Sequence, residues 1–327
     1  MTIKRIIAAV TAIALGSALC GCSGDNTDKS ESKADKLLIM TTIFPAYDFA
    51  RQVFGDTAEV KMLLKPGQES HSYDPSAKDI VEINGCDLFV YNGGESDQWV
   101  ESVLQAAPDV ETFRMTDAVS LLDEEIAEGM QETDHDHEHE ENHDHEDEHD
   151  EEYDEHVWTS PDNAAAIVRA LGKRAGELFP ENAGEISANT ENYAGEIDVI
   201  DSEMKRLLSG EERYFIFGDR FPLLYFFRHY GLNYYAAFPG CGSETEPSAQ
   251  TMAFLLDKLG QPDAVKAVFC IELSGRKLAD VLAEDTGLEV VEFHSCHNIS
   301  AEDFAAGETY VSLMQRNRQS LEKVLVG

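Results

Sequence analysis

The sequence predicts an α/β protein: two lobes with mainly parallel sheets, joined by one long connecting helix. Three observations predict it. Apolar, β-branched runs at 37–43, 58–64 and 87–91 alternate with amphipathic helical segments, the spacing of βαβ units. A second alternating run occupies 214–293. Between the two, 182–208 contains no proline and carries Tyr193, Ile197, Ile200, Met204 and Leu207 at three- and four-residue steps, the pattern of one long amphipathic helix. At 327 residues the chain is long enough to build two cores.

Taken in order, 37–43 reads as a strand buried on both faces. Pro45 opens a helix whose Tyr47, Ala50, Val53 and Phe54 share a stripe. After the strand 58–64 and a loop through Pro66-Gly67, Ser76 has the chemistry of an N-cap for a helix carrying Ile80, Val81 and Ile83. The strand 87–91, the Gly93-Gly94 turn and a helix over 98–106 complete the first alternating run. Helices follow at 164–178 and 182–208, and Ser209-Gly210 stops the second. The second run reads as strands at 214–217, 233–236, 265–271 and 289–293, with helices at 222–230, 248–259 and 276–285. A last helix over 310–326 closes the chain. Parallel sheets of this kind place functional residues on loops at the carboxyl ends of their strands, where His71 falls.

The N-terminus reads as a targeting segment, with Lys4 and Arg5 before a short apolar stretch at 6–19. It ends in Leu19-Cys20-Gly21-Cys22, similar to a bacterial lipoprotein box with Cys22 as the lipidated residue. Polar residues 23–35 suit a flexible tether. The expected division is therefore 1–22 signal, 23–35 tether, 36–180 first lobe, 181–209 connecting helix and 210–327 second lobe. A mobile loop at 119–155 belongs to the first lobe.

That loop holds the densest chemistry in the chain. His135, His137, His139, His143, His145 and His149 alternate with carboxylates, and 132–155 contains fifteen Asp and Glu but no Lys or Arg. Such a block repels itself and buries no apolar surface. Imidazole-rich tracts are a compositional sign of transition-metal binding, here as weak sites. The formal net charge of −38 excludes nucleic acid as a partner, because phosphate recognition needs clustered Lys and Arg. Cys86, Cys241, Cys270 and Cys296 match no CxxC spacing. Cys86 and Cys270, among apolar neighbours, read as buried structural thiols, and Cys241 with Cys296 as either a disulfide or two free thiols.

Two further motifs carry a resemblance. Gly67-Gln68-Glu69-Ser70-His71-Ser72-Tyr73-Asp74-Pro75 is similar to the first-ligand loop of the metal-binding lipoproteins of bacterial zinc and manganese ABC transporters. Asp154-Glu155-His156-Val157-Trp158 resembles that family's Asp-Pro-His-x-Trp segment, with Glu155 in place of Pro. Tyr230-Gly231-Leu232, Glu246-Pro247-Ser248 and the His-rich insertion before His156 fit the same pattern. The resemblance covers everything after the tether and implies a lipid-anchored, extracytoplasmic solute-binding protein, not an enzyme. It would be a monomer that captures Zn²⁺ in an interlobe cleft and serves an ABC transporter permease.

One departure matters. Arg220 falls where the family carries its third histidine, and a guanidinium has no lone pair for a metal. The resemblance implies His71 and His156 as ligands, His297 as the substitute third imidazole, and Glu246, Asp219 or Cys296 as the fourth ligand. Nitrogen-rich tetrahedral ligation suits zinc, whereas Mn²⁺ favours more carboxylates. Two other classes stay open: a secreted zinc hydrolase, although no His-Glu-x-x-His helix is present, and a surface metal buffer or adhesin.

Overall fold

In the computed structural model, which describes residues 36–68, 70, 73–130, 153–240 and 247–326, two four-stranded sheets repeat one topology. The first has the order β2-β1-β3-β4, from β1 (Leu37–Thr41), β2 (Ala58–Met62), β3 (Leu88–Tyr91) and β4 (Thr112–Arg114). The second has the order β6-β5-β7-β8, from β5 (Tyr214–Phe221), β6 (Asn233–Pro239), β7 (Ala267–Ile271) and β8 (Glu289–Phe293). Every strand pair is parallel, as the continuous apolar runs predict. In each sheet the chain reverses direction of growth beside its first strand, so a crevice opens at the carboxyl ends of β1 and β3, and again at those of β5 and β7.

Local chemistry sets the helix boundaries. Pro45 sits in the first turn of α1 (Phe44–Phe54). Ser76 caps α2 (Ala77–Asn84) through a reciprocal capping box with Asp79. Following α3 (Gln98–Ala106), α4 (Pro161–Leu178) begins on proline. The connecting helix α5 (Ala183–Leu208) runs 26 residues, about 39 Å at 1.5 Å per residue, and buries Ile186, Tyr193, Ile197, Ile200 and Met204 on one side. It crosses α4 closely at Gly172, where an added Cβ would lie 2.0 Å from Thr190 Oγ1. The second lobe adds α6 (Leu224–Tyr230), α7 (Ala249–Leu259, capped by Ser248), α8 (Lys277–Thr286), α9 (Ala301–Ala306) and α10 (Tyr310–Val326).

The C-terminal segment returns to the first lobe. The buried Asp48 carboxylate of α1 accepts from Arg51 Nε at 2.7 Å, from the Tyr310 amide at 2.8 Å and from the Tyr193 hydroxyl of α5. Tyr310 Oη–H in turn donates to Trp158 O at 2.9 Å. One apolar core therefore runs from Ile39 and Phe89 through α5 to Phe215, Phe217 and Phe269. The opposite face of the second sheet (Ile216, Val268, Cys270) packs a smaller cluster under α7 and α8. Residues 36–327 form one compact unit holding both sheets.

Several elements differ from the sequence reading. β4 and α9 are additional, and β5 continues past Phe217 through a bulge to Phe221. The expected mobile loop 119–155 is ordered at both described ends. Asp123 bridges Tyr153, the Leu122 amide donates to Tyr225 Oη at 3.0 Å, the Asp154 amide donates to Leu122 O at 2.9 Å, and Glu125 pairs with Arg228. Two of these contacts join the ends of the loop to each other and two come from Tyr225 and Arg228 of α6, distant in sequence, which composition alone does not reveal. Cys86 and Cys270 are free, with burial pushing their thiols up to about 11 and about 12. Cys22, Cys241 and the histidines from His135 to His149 lie outside the described residues, as do His71 and Glu246. Among the described residues no helix is long and apolar enough to cross a membrane.

Candidate metal centre

The centre is built on loops that leave the carboxyl ends of strands in both sheets. His156 precedes the tight turn 157–159 that leads into α4. Its segment is pinned to the first sheet: Asn92, just after β3, donates Nδ2–H to Glu155 O at 2.9 Å. The buried Glu155 carboxylate accepts the Ser96 N–H and Oγ–H, each at 2.9 Å. Burial pushes that carboxyl up to about 7, against the opposing pull of His156 and Ser96. Glu155, where the family pattern has Pro, thus anchors the chain that carries the histidine.

His156 is 1% exposed. Its Nδ1 lies 3.0 Å from Asp154 Oδ1, which also accepts the His156 amide at 2.8 Å. Burial opposes a charged ring here, but the carboxylates of Asp154 and Glu155 outweigh it and hold the imidazole above its ordinary value. The other nitrogen, Nε2, is buried with no hydrogen-bond partner among the described residues. Gly240 at the end of β6 closes over it: a Cβ at that position would sit 3.2 Å from His156 Cε1.

The second sheet supplies His297. Its ring centroid is 5.2 Å from that of His156, at 71°. Trp158 stands against both rings, at 5.5 Å and 5.2 Å, and donates Nε1–H to Ser295 O at 3.0 Å. Glu272, immediately after β7, grips the 295–298 loop by accepting the Ser295 N–H and Oγ–H, each at 2.7 Å. Ser70, the residue before His71 in the chain, brings its hydroxyl 2.8 Å from His297 Nε2. A cavity of about 90 Å³ opens here, lined by Ser70, Arg220, Gly240, Glu272, Leu273 and His297 among others.

The remaining expected ligands separate. Asp219 is turned to the backbone: its carboxylate accepts the Ile271 amide at 3.1 Å and the Arg220 amide at 2.9 Å, bridging β5 to β7 beyond their Phe217–Phe269 pair. Burial raises its pKa, against those amides and the Ser274 hydroxyl. It does not line the cavity. Cys296 is a correction as well. It is a free thiol at positive φ (61°), which turns its side chain into the core while His297 faces the cleft. Burial in the core, away from the cavity lining, pushes the thiol well above its usual range. Arg220 lines the cavity as a cation. His294 accepts the Cys296 amide on Nδ1 at 3.0 Å, and His229 pairs with Asp201 at 2.7 Å, so both are structural. Among the described residues no three His, Cys, Asp or Glu side chains converge, and His156 and His297 are what they contribute. Sequence reasoning missed Glu272. Its one signal was its place directly after a strand, which many acids share.

The fold, two parallel α/β sheets, agrees with comparison to known proteins. The zinc-binding lipoprotein AdcA of Streptococcus pneumoniae is 30% identical over 299 residues, covering 90% of this chain and 57% of AdcA. The chain thus spans little more than half the length of that relative. The high-affinity zinc uptake system protein ZnuA of Bacillus subtilis is 29% identical over 309 residues, 94% of each chain. The crystal structure of the Zn(II)-bound ZnuA-like domain of Streptococcus pneumoniae AdcA matches with a TM-score of 0.72 and 27% identity, over 89% of this chain and 100% of that one. The sequence profile of zinc-uptake complex component A, periplasmic, matches residues 39–324, and the chain belongs to this ZnuA family.

Proposed function

We propose that this protein is an extracytoplasmic solute-binding protein that captures Zn²⁺ in the interlobe cleft and delivers it to the permease of an ABC transporter. One observation carries the reading: the buried Nε2 of His156, without a hydrogen-bond partner among the described residues, on a ring whose centroid is 5.2 Å from that of His297. With Asp154 accepting Nδ1–H, the lone pair of the neutral imidazole sits on Nε2, the state a metal requires. A buried nitrogen with no donor to accept from carries a desolvation cost that a bound cation removes. His71 is the proposed second contribution from the first lobe, and Ser70 beside His297 supports its loop reaching the cleft. Glu246 is the remaining fourth-ligand candidate. Arg220 and the braced Glu272 stay as neighbours of the metal.

Zinc is favoured over manganese because the donors in hand are nitrogens. The His-rich tract is proposed to gather zinc weakly beside the cleft, Cys22 to anchor the chain by lipid, and the protein to act as a monomer without catalysis. In a chelator-competition titration, His156→Ala and His297→Ala should each weaken the tight zinc site by one to two orders of magnitude or more, about the scale of losing a metal-site contact. Unchanged affinity in both variants rejects this cleft as the zinc site.

A further inference from the structure

We propose that Asn298 is a latch between the lobes that slows zinc release, a positioning residue that touches no metal. The inference rests on zinc capture in the cleft described above. Asn298 lies at the end of the loop that carries His297, and it uses both ends of its amide on the first lobe. Its Oδ1 accepts the Gly67 N–H at 3.0 Å, and its Nδ2–H donates to Gln68 O at 2.7 Å, across 231 and 230 residues of chain.

Both sides of the clasp are pre-set. On the second lobe, Oδ1 also accepts the Ile299 amide at 2.7 Å, which fixes the rotamer, and the Glu272 carboxylate holds Ser295 in the same loop. On the first lobe, Gly67 takes φ +81° in a turn closed by the Gln68 amide donating to Lys65 O at 2.9 Å. That conformation presents an N–H and a C=O side by side, and glycine reaches it without strain. An amide side chain matches the pair as one more stretch of backbone would. A carboxylate matches only the N–H, and a methyl matches neither.

The turn at 67–68 directly precedes Ser70, whose hydroxyl meets His297 Nε2. Opening the cleft on this side parts 65–68 from 294–298, and the Asn298 amide joins the two backbones. Two bonds at a partly exposed position slow that opening by about tenfold, or about 1.4 kcal/mol. The latch therefore acts on the release rate, while metal identity belongs to the ligands.

The test uses full-length protein with Asn298→Ala and Asn298→Asp. In zinc-free protein, amide hydrogen exchange at Gly67 should rise about tenfold in Asn298→Ala and stay close to wild type in Asn298→Asp, which keeps the acceptor. In protein loaded with one zinc, stopped-flow release to excess chelator should be about tenfold faster in Asn298→Ala and intermediate in Asn298→Asp. Unchanged Gly67 exchange in Asn298→Ala overturns the clasp. Raised exchange with unchanged release overturns its role in holding zinc. A wild type lacking a tight zinc site overturns the zinc reading instead, and Gly67 exchange then still judges the clasp.

Discussion

Asp154 Oδ1 accepts two hydrogen bonds from one residue, from the backbone N–H of His156 at 2.8 Å and from its ring Nδ1 at 3.0 Å. One carboxylate oxygen thereby sets both the chain direction and the ring orientation of the buried histidine. Asp154 is fixed in turn by the Tyr225 hydroxyl, which donates to its carbonyl at 2.8 Å. Carboxylates behind a metal-binding histidine raise its basicity and hold its tautomer. Asp154→Ala should therefore lower zinc affinity about 10- to 100-fold without removing a ligand. Competition titration reads the effect, and wild-type affinity in the variant would show that the orientation of His156 does not matter.

The raised pKa of His156 has a definite sign for binding. Zinc takes the neutral ring, so protons compete with it, and affinity should begin to fall at a pH above the ordinary histidine value of about 6.5. In the zinc-free protein the same shift acts on stability in the opposite sense. The His156⁺–Asp154 pair contributes fully below about 6.5, and its contribution is lost as pH rises through the higher folded value. Zinc titrations from pH 8 to 5.5, with the imidazole followed by NMR, check both. An affinity flat across that range contradicts this account.

Asp97 lies beneath the centre, 5% exposed, accepting the Asn92 and Gly93 amides at 2.8 and 3.0 Å. Burial pushes its carboxyl up to about 6 in spite of those amides. Its folded value exceeds the unfolded one, so its contribution to stability is complete below about 4 and is lost as pH rises through about 6. The loss is at most about 3 kcal/mol. Asp97→Asn, neutral at all pH, should flatten that slope. Urea unfolding at pH 4.5 and 7 would show the wild type losing stability relative to the variant at the higher pH. Parallel curves would mean that the burial cost is met elsewhere.

Gly172 tests the crossing of α4 and α5. Alanine would improve helix propensity by about 1 kcal/mol. Its Cβ, however, would lie 2.0 Å from Thr190 Oγ1, a buried side chain already donating to Ile186 O at 2.7 Å. Overpacking costs typically 1–3 kcal/mol and wins. Gly172→Ala should lower the unfolding midpoint by a few degrees and leave zinc affinity within about twofold. A stabilised variant would mean that the two helices separate without cost.

Local chemistry determined most of the architecture. Runs such as Leu88–Tyr91 and Ala267–Ile271 read as buried strands, and Ser76 as the start of a helix, because these signals lie within a few residues of one another. The motif around His156, through its resemblance to a family pattern, marked that residue as a ligand candidate. Tertiary structure decided what depends on distant chain. β4 is three residues long, too short to show a period, and exists because β3 offers it an edge. Asp219 and Cys296 have ligand chemistry, yet the Ile271 and Arg220 amides hold one and a left-handed backbone angle buries the other. Glu272 and Asn298 look like ordinary loop residues in the sequence. Their roles come from partners 23 and about 230 residues away, and hydrogen bonds across such separations follow from how the two sheets pack, which no local pattern encodes.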